Sequence, residues 1–167
     1  FAWAQLADAV GIRHRDAQLG DGLPAAVLGL PRATIDEAVA APTVVLLAPD
    51  LKEELPVLYL RLRAAAEQRL IRIIEVATHA TGMTRYAWRT VTHRPGGAPA
   101  EIAKAFADPA VAEQIGRGPV VVVAGRAHLA ESEATAVAAL SAMLAAVPGA
   151  AVLPAFRRGN VVGALQL

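Results

Sequence analysis

The residues that could carry chemistry in this chain are few. Its four histidines are His14, His79, His93 and His128, and none stands two, three or four residues from another, so no histidine pair offers metal-ligand spacing. His79 and His128 each follow a predicted parallel strand, where they could line the crevice at a sheet's carboxyl end; solvated surface histidines are the simpler reading. Asp50, Glu53 and Glu54 form an acidic cluster at the mouth of the first predicted strand. Paired carboxylates can exchange protons or hold a hard cation. They also favour the first turn of a helix, and capping is the preferred reading here. Gly20-Asp21-Gly22-Leu23-Pro24-Ala25 has the outline of a dinucleotide-binding fingerprint, but no strand precedes it and a proline falls inside it, so it reads as a loop. His14-Arg15-Asp16 spells a kinase triplet without the glycine-rich loop or strand lysine that give it meaning. The chain has no cysteine, which excludes disulfides, thiol catalysis and cysteine-ligated iron–sulfur clusters within these residues. By residue chemistry alone, no active site is nominated.

The elements that would position such groups are clearer. Thr43 to Arg63 organises the rest. Val44 to Ala48 is an apolar strand cut off by Pro49-Asp50; a polar link, Leu51 to Leu55, follows, and Pro56 opens a helix with proline in its first turn. This is the start of a βαβ unit, whose post-strand loop is the usual place for a ligand. Before it, Phe1 to Val10 reads as a helix ended by Gly11, and Gly11 to Arg32 as irregular. Thr34 with Glu37 makes a capping box for a helix over 35–41. After it, the pattern predicts a helix over 56–70, buried through Leu58, Leu62, Ala65 and Ala66, and a strand over 71–77 suited to a central parallel position. A strand over 86–92 follows, then helix over 99–115 broken at Asp108-Pro109, a valine-rich strand over 119–124, a helix over 132–147 and a strand over 151–155. Alternation of this kind predicts an α/β domain built on an open, mostly parallel, Rossmann-like sheet with helices on both faces. One domain over 1–167 is expected, with a partly irregular lead-in over 1–42 and a core over 43–167. A chain that starts at Phe1 and stops at Leu167 in an apolar run reads as a piece of a longer polypeptide.

Composition sets the outer bounds. Hydrophobic residues make up 55% and charged residues 19%, which argues against disorder. Lys+Arg is 16 against Asp+Glu 15, with the basic residues dispersed, so no field draws nucleic acid or an anionic membrane. Residues 134–156 carry no charge, yet alanine dominates them and Pro148-Gly149 interrupts them; they read as a buried helix and a strand, not as a membrane span.

Four stretches, in order, resemble the molybdopterin-oxidoreductase fold, and within it the large iron–sulfur subunit of bacterial NADH-quinone oxidoreductase, respiratory complex I. They are Leu6 to Asp16, without the family's asparagines; Val44 to Arg63, where Ala48-Pro49-Asp50 replaces a Gly-x-Asn-Pro turn while Glu54, Pro56, Arg61 and Arg63 are kept; Arg94-Pro95-Gly96-Gly97-Ala98, similar to a Pro-Gly-Thr-Asp turn; and Arg158 to Ala164, similar to an Asn-x-x-Gly-Ala signature. Cofactor-binding members place a carboxylate after the second strand, where this chain reads Ala77-Thr78-His79-Ala80, and the aspartate of the third stretch is also missing. The resemblance therefore implies a structural domain without cofactor, inside a parent that passes electrons from NADH toward quinone through iron–sulfur clusters held elsewhere. Its implied partners are the other subunits of a respiratory complex, with no nucleic acid and no direct membrane insertion. Its implied place is the cytoplasm, peripheral to the inner face of the plasma membrane. The alternative implied by the same fold is a molybdopterin guanine dinucleotide-binding domain of a molybdoenzyme, such as a formate dehydrogenase or nitrate reductase, with Asp50, His79, Thr81 and Gly96 at the nucleotide end of the pocket.

Overall fold

The computed structural model describes residues 2–12, 23–126 and 132–156. Helix α1 spans Ala2–Ala9 and ends where Gly11 takes a left-handed conformation (φ 70°), so that Ile12 can donate its N–H back to the Ala7 carbonyl at 2.8 Å. A 3-10 turn covers Ala25–Gly29. Helix α2 (Ile35–Ala40) carries the capping box: the Thr34 hydroxyl accepts from the Glu37 amide, and the Glu37 carboxylate accepts from the Thr34 amide at 2.7 Å.

Five strands follow, alternating with helices. They are β1 (Thr43–Leu47), β2 (Arg72–Ala77), β3 (Arg89–Thr92), β4 (Val120–Ala124) and β5 (Ala151–Pro154). Between β1 and β2 lie α3 (Leu51–Glu54) and α4 (Pro56–Glu67). Between β3 and β4 lie α5 (Ala98–Phe106) and α6 (Pro109–Ile115), and α7 (Glu133–Ala146) joins β4 to β5. Strand order is β3-β2-β1-β4-β5 and every pairing is parallel, so the sheet is open, all-parallel and Rossmann-like.

Alternate residues of each strand feed two cores. Val44, Leu46, Ile73, Val121 and Val123 pack with α2 and α4 on one face; Val45, Leu47, Ile74, Val76 and Val122 pack with α5, α6 and α7 on the other. Apart from Arg72, residues of β1, β2 and β4 are therefore buried whichever way they point, which is why these strands are apolar but for Arg72, Thr43 and Glu75. Helices close each face of the sheet: α4 buries Leu58, Leu62 and Ala65 as expected, with Tyr59 buried in place of the half-buried Ala66, and α7 buries Ala136, Ala139, Leu140 and Met143.

Four elements depart from the sequence reading, the first being the 3-10 turn Ala25–Gly29 inside a stretch read as irregular. The polar link Leu51 to Leu55 is helical over its first four residues, because the Asp50 carboxylate accepts the Lys52 amide at 3.0 Å and starts a turn there. The third strand is confined to Arg89–Thr92; Thr84–Tyr86 forms a 3-10 turn instead, closed by the Tyr86 amide on the Met83 carbonyl. The helix predicted to reach Leu70 stops at Glu67, with Arg69 left-handed (φ 60°) just beyond. The break at Asp108-Pro109 stands as read, with Asp108 as N-cap and proline in the first turn of α6. Among the described residues, no helix is long and apolar enough to cross a membrane.

Candidate functional site

In a sheet of this order, ligands bind outside the carboxyl ends of the strands, at the point where the chain switches direction across the sheet. Here that point lies between β1 and β4. The chain itself fills it. Pro49, after β1, is buried and has no N–H to offer. Gly125, after β4, donates to the Leu47 carbonyl at 2.7 Å, and Ala155 donates to the Ala124 carbonyl at the same distance. A Cβ on Gly125 would stand 2.7 Å from the Ala155 carbonyl oxygen and 3.0 Å from Pro49 Cδ, so the backbones meet with no room between them. The two nearby helix starts are also engaged, α3 by Asp50 and α7 by the Ser132 hydroxyl, which accepts from the Thr135 amide at 3.1 Å.

The four residues singled out for a nucleotide end fall on two sides of the sheet. Asp50 and Thr81 lie together on the α4 side. One Asp50 oxygen accepts from Lys52 and the other from the Gly82 amide at 3.1 Å, so this carboxylate ties the turn after β1 to the loop after β2. Thr81 donates its hydroxyl to Glu75 and accepts the Met83 amide at 3.0 Å, while its own amide donates to Thr84 Oγ1 at 2.8 Å. His79 is exposed, with Nδ1 3.0 Å from Thr78 Oγ1. Gly96 sits in an exposed turn after β3, leading into α5 on the opposite face. Asp50 and Thr81 thus organise loops, with their polar atoms engaged by backbone amides and side chains of the chain itself. Glu53 and Glu54 are exposed on α3, and among the described residues no three His, Asp or Glu side chains converge on a cation site. Gly20 to Gly22, His14 to Asp16, His128 and Arg158 to Ala164 lie outside the described residues.

The sequence reading does not single out the buried polar groups. Glu75, in the middle of β2, is 3% exposed, and its Oε2 meets no partner among the described residues. His93, just past β3, is 5% exposed; its Nδ1 lies 2.8 Å from the Arg94 carbonyl, which can only accept, so Nδ1 carries the hydrogen and Nε2 has no partner among the described residues. Gln114 of α6 donates to Thr43 Oγ1 at 2.9 Å and to the Pro42 carbonyl at 3.2 Å, pinning the start of β1. The available signal is an isolated polar residue inside or beside an apolar strand, since burial of such a group demands a partner. Beside His93 lies an open cleft of about 620 Å³ at the ends of β2 and β3, lined by Thr78, Thr92, Arg94, Gly97 and Glu101.

No family model matches the chain. Over 158 residues it is 31% identical to the G subunit of NADH-quinone oxidoreductase from Mycobacterium bovis, and equally so to the corresponding protein from Mycobacterium tuberculosis. The similarity takes in 92% of this chain but 19% of each relative, so the chain spans about a fifth of the curated relatives it matches.

Proposed function

We propose that this chain is a structural, cofactor-free segment of the G subunit of an NADH-quinone oxidoreductase. The observation that carries the reading is the 31% identity, which runs through 92% of the chain and is not confined to one motif. The closed switch point supports it: a Cβ on Gly125 would meet both Pro49 and the Ala155 carbonyl, so the strand ends come close together where a nucleotide would enter such a sheet. Asp50 supports it as well, because each of its oxygens accepts a backbone amide, so this carboxylate serves to tie two loops together. In this reading the segment contributes bulk and contact surface to the peripheral arm of a respiratory complex on the inner face of the plasma membrane. Electron transfer runs through iron–sulfur clusters elsewhere in the parent polypeptide.

One observation favours the second reading, a molybdopterin guanine dinucleotide-binding domain. The cleft at the ends of β2 and β3 brings the Arg94 guanidinium beside the start of α5, which has no side-chain cap, and that pairing suits an anionic group. Metal and pterin analysis of the full-length parent, purified in its native assembly, separates the two. Iron without molybdenum or pterin, in an assembly that oxidises NADH with quinone, is the expected result. Molybdenum with a stoichiometric pterin nucleotide would overturn the cofactor-free reading.

A further inference from the structure

We propose that the open edge of β3 receives an extended, acidic segment of another subunit as a sixth strand. The inference rests on the reading above, in that it requires a neighbouring subunit.

The two edges of the sheet are not alike. At β5 the chain covers its own edge: Arg32 bridges to Val152, the Val152 amide donates to the Pro31 carbonyl at 2.7 Å, and the Ala33 amide donates to the Val152 carbonyl at 2.9 Å. At the other end β3 pairs with β2 alone, and among the described residues no segment lies along its outer side. A bare edge is a template for strand addition, and folded proteins either cover it or restrict what can join. The local sequence, Thr90-Val91-Thr92, has the β-branched side chains that favour an extended partner. There is also room for one. A groove of about 270 Å³ follows all four residues of β3 and is walled by Glu101, Lys104 and Ala105 of α5.

Charge selects the occupant. Arg85, whose guanidinium lies over the Tyr86 ring at 4.7 Å, precedes the strand and Arg94 follows it; both are exposed, and no ion pair among the described residues joins either to a carboxylate. Lys104, on the groove wall, has its side chain 81% exposed and reaches Glu101 only at 3.8 Å. Arg89 shares its charge with Asp108 at 2.7 Å. An incoming strand with carboxylates at its ends meets complementary charge, while a basic or neutral one does not. Main-chain pairing supplies the affinity and the flanking arginines supply the selection.

The test places a photo-crosslinking amino acid at Thr90 of the full-length polypeptide in its native complex and identifies the products by mass spectrometry. The expected product joins Thr90 to an Asp/Glu-rich extended stretch of a different subunit. Arg85→Glu with Arg94→Glu should lower its yield about tenfold, while the lysine pair at the same positions keeps it. A crosslink within the same polypeptide, to a second copy of it or to RNA overturns the proposal, as does no crosslink from polypeptide that is still in the complex. If the polypeptide purifies in some assembly other than an NADH-quinone oxidoreductase, the functional reading fails, and the Thr90 product in that assembly still decides the edge.

Discussion

The buried carboxylate of Glu75 accepts the hydroxyl of Thr81, six residues along the chain, and the same hydroxyl accepts the amide of Met83. One threonine thus joins the interior of β2 to the loop that follows it. It also provides the only hydrogen bond that the Glu75 side chain has among the described residues, since Oε2 has none. Replacing Thr81 with valine keeps the shape and leaves a carboxyl group with no partner. We expect a loss of roughly 1–3 kcal/mol, read from urea unfolding of the chain. Combining Thr81→Val with Glu75→Leu removes the orphaned carboxyl, while the Met83 amide stays without its acceptor, and should recover part of that loss. A double variant no more stable than Thr81→Val would show that the loss does not come from the Glu75 carboxyl.

Gly125 offers a steric test of the closed switch point. Gly125→Ala forces a methyl group into the carbonyl oxygen of Ala155 and the ring of Pro49, and should destabilise the chain by about 1–3 kcal/mol. Gly29→Ala, where a Cβ meets nothing within 4 Å, should be neutral or stabilising by up to about 1 kcal/mol. Equal denaturation midpoints for the two variants would mean that the strand ends separate readily enough to admit a ligand.

Helices α1 and α4 end in the same motif with different residues. In α1, Gly11 donates to Asp8 and Ile12 to Ala7; in α4, Arg69 donates to Ala66 and Leu70 to Ala65. The left-handed position is glycine in the first and arginine in the second. A side chain there costs about 1–2 kcal/mol, partly offset by the larger backbone entropy that glycine loses on folding. Arg69→Gly should therefore raise the thermal midpoint, by a net of about 0.5–1 kcal/mol at that temperature. A lowered midpoint would show that the Arg69 side chain makes a compensating contact.

Acid should weaken the fold through its caps. The Asp108 carboxyl is held below its usual 3.8, first by the Ala110 amide and then by Arg89, and Glu37 is held below 4.5 by the amide and hydroxyl of Thr34. Both groups bind a proton less readily folded than unfolded, so the unfolded chain takes up protons first as pH falls. Their contribution is complete above the ordinary carboxylate range and is lost as pH drops through the lowered values. Urea midpoints should be flat with respect to these groups from pH 7 to about pH 5 and fall below that. Asp108→Asn should lower the midpoint at neutral pH and flatten the acid limb; an unchanged limb would remove Asp108 as a source of the acid sensitivity.

Much of the fold can be read from local chemistry. The four valines of β4, the Thr34–Glu37 capping box, Pro56 at the start of α4 and the Asp108-Pro109 break each announce an element through one strong physical cause. The α3 turn does not, because Lys52, Glu53 and Glu54 give no apolar periodicity over four residues. The 3-10 turn at Thr84–Tyr86 reaches into a stretch that reads as strand because Tyr86 and Trp88 favour strands, whereas the Met83 carbonyl holds Tyr86 in a turn. Strand order is out of reach of local pattern, since it depends on which pairings the crossovers allow. The site is less legible still. Asp50 is visible as a carboxylate after a strand, but its second partner, Gly82, lies 32 residues away. Glu75 stands in plain view between Ile74 and Val76, where a lone charge in an apolar strand is itself the cue to a buried, partnered group.

The pairing of β1 with β4 also sets a schedule for synthesis. Thr43 aligns with Val120, which leaves the ribosome roughly 75 residues later, several seconds at about 5–20 residues per second. In that interval the only strand neighbour β1 can gain is β2, on one flank, once Arg72–Ala77 has been made. Its other flank, Val-Val-Leu-Leu, waits uncovered, with β-forming side chains and no charge to repel a stray strand. The nascent chain is thus most vulnerable to misassociation before β4 exists, and slowing elongation ahead of Val120 should cost soluble yield even though the finished protein would be identical.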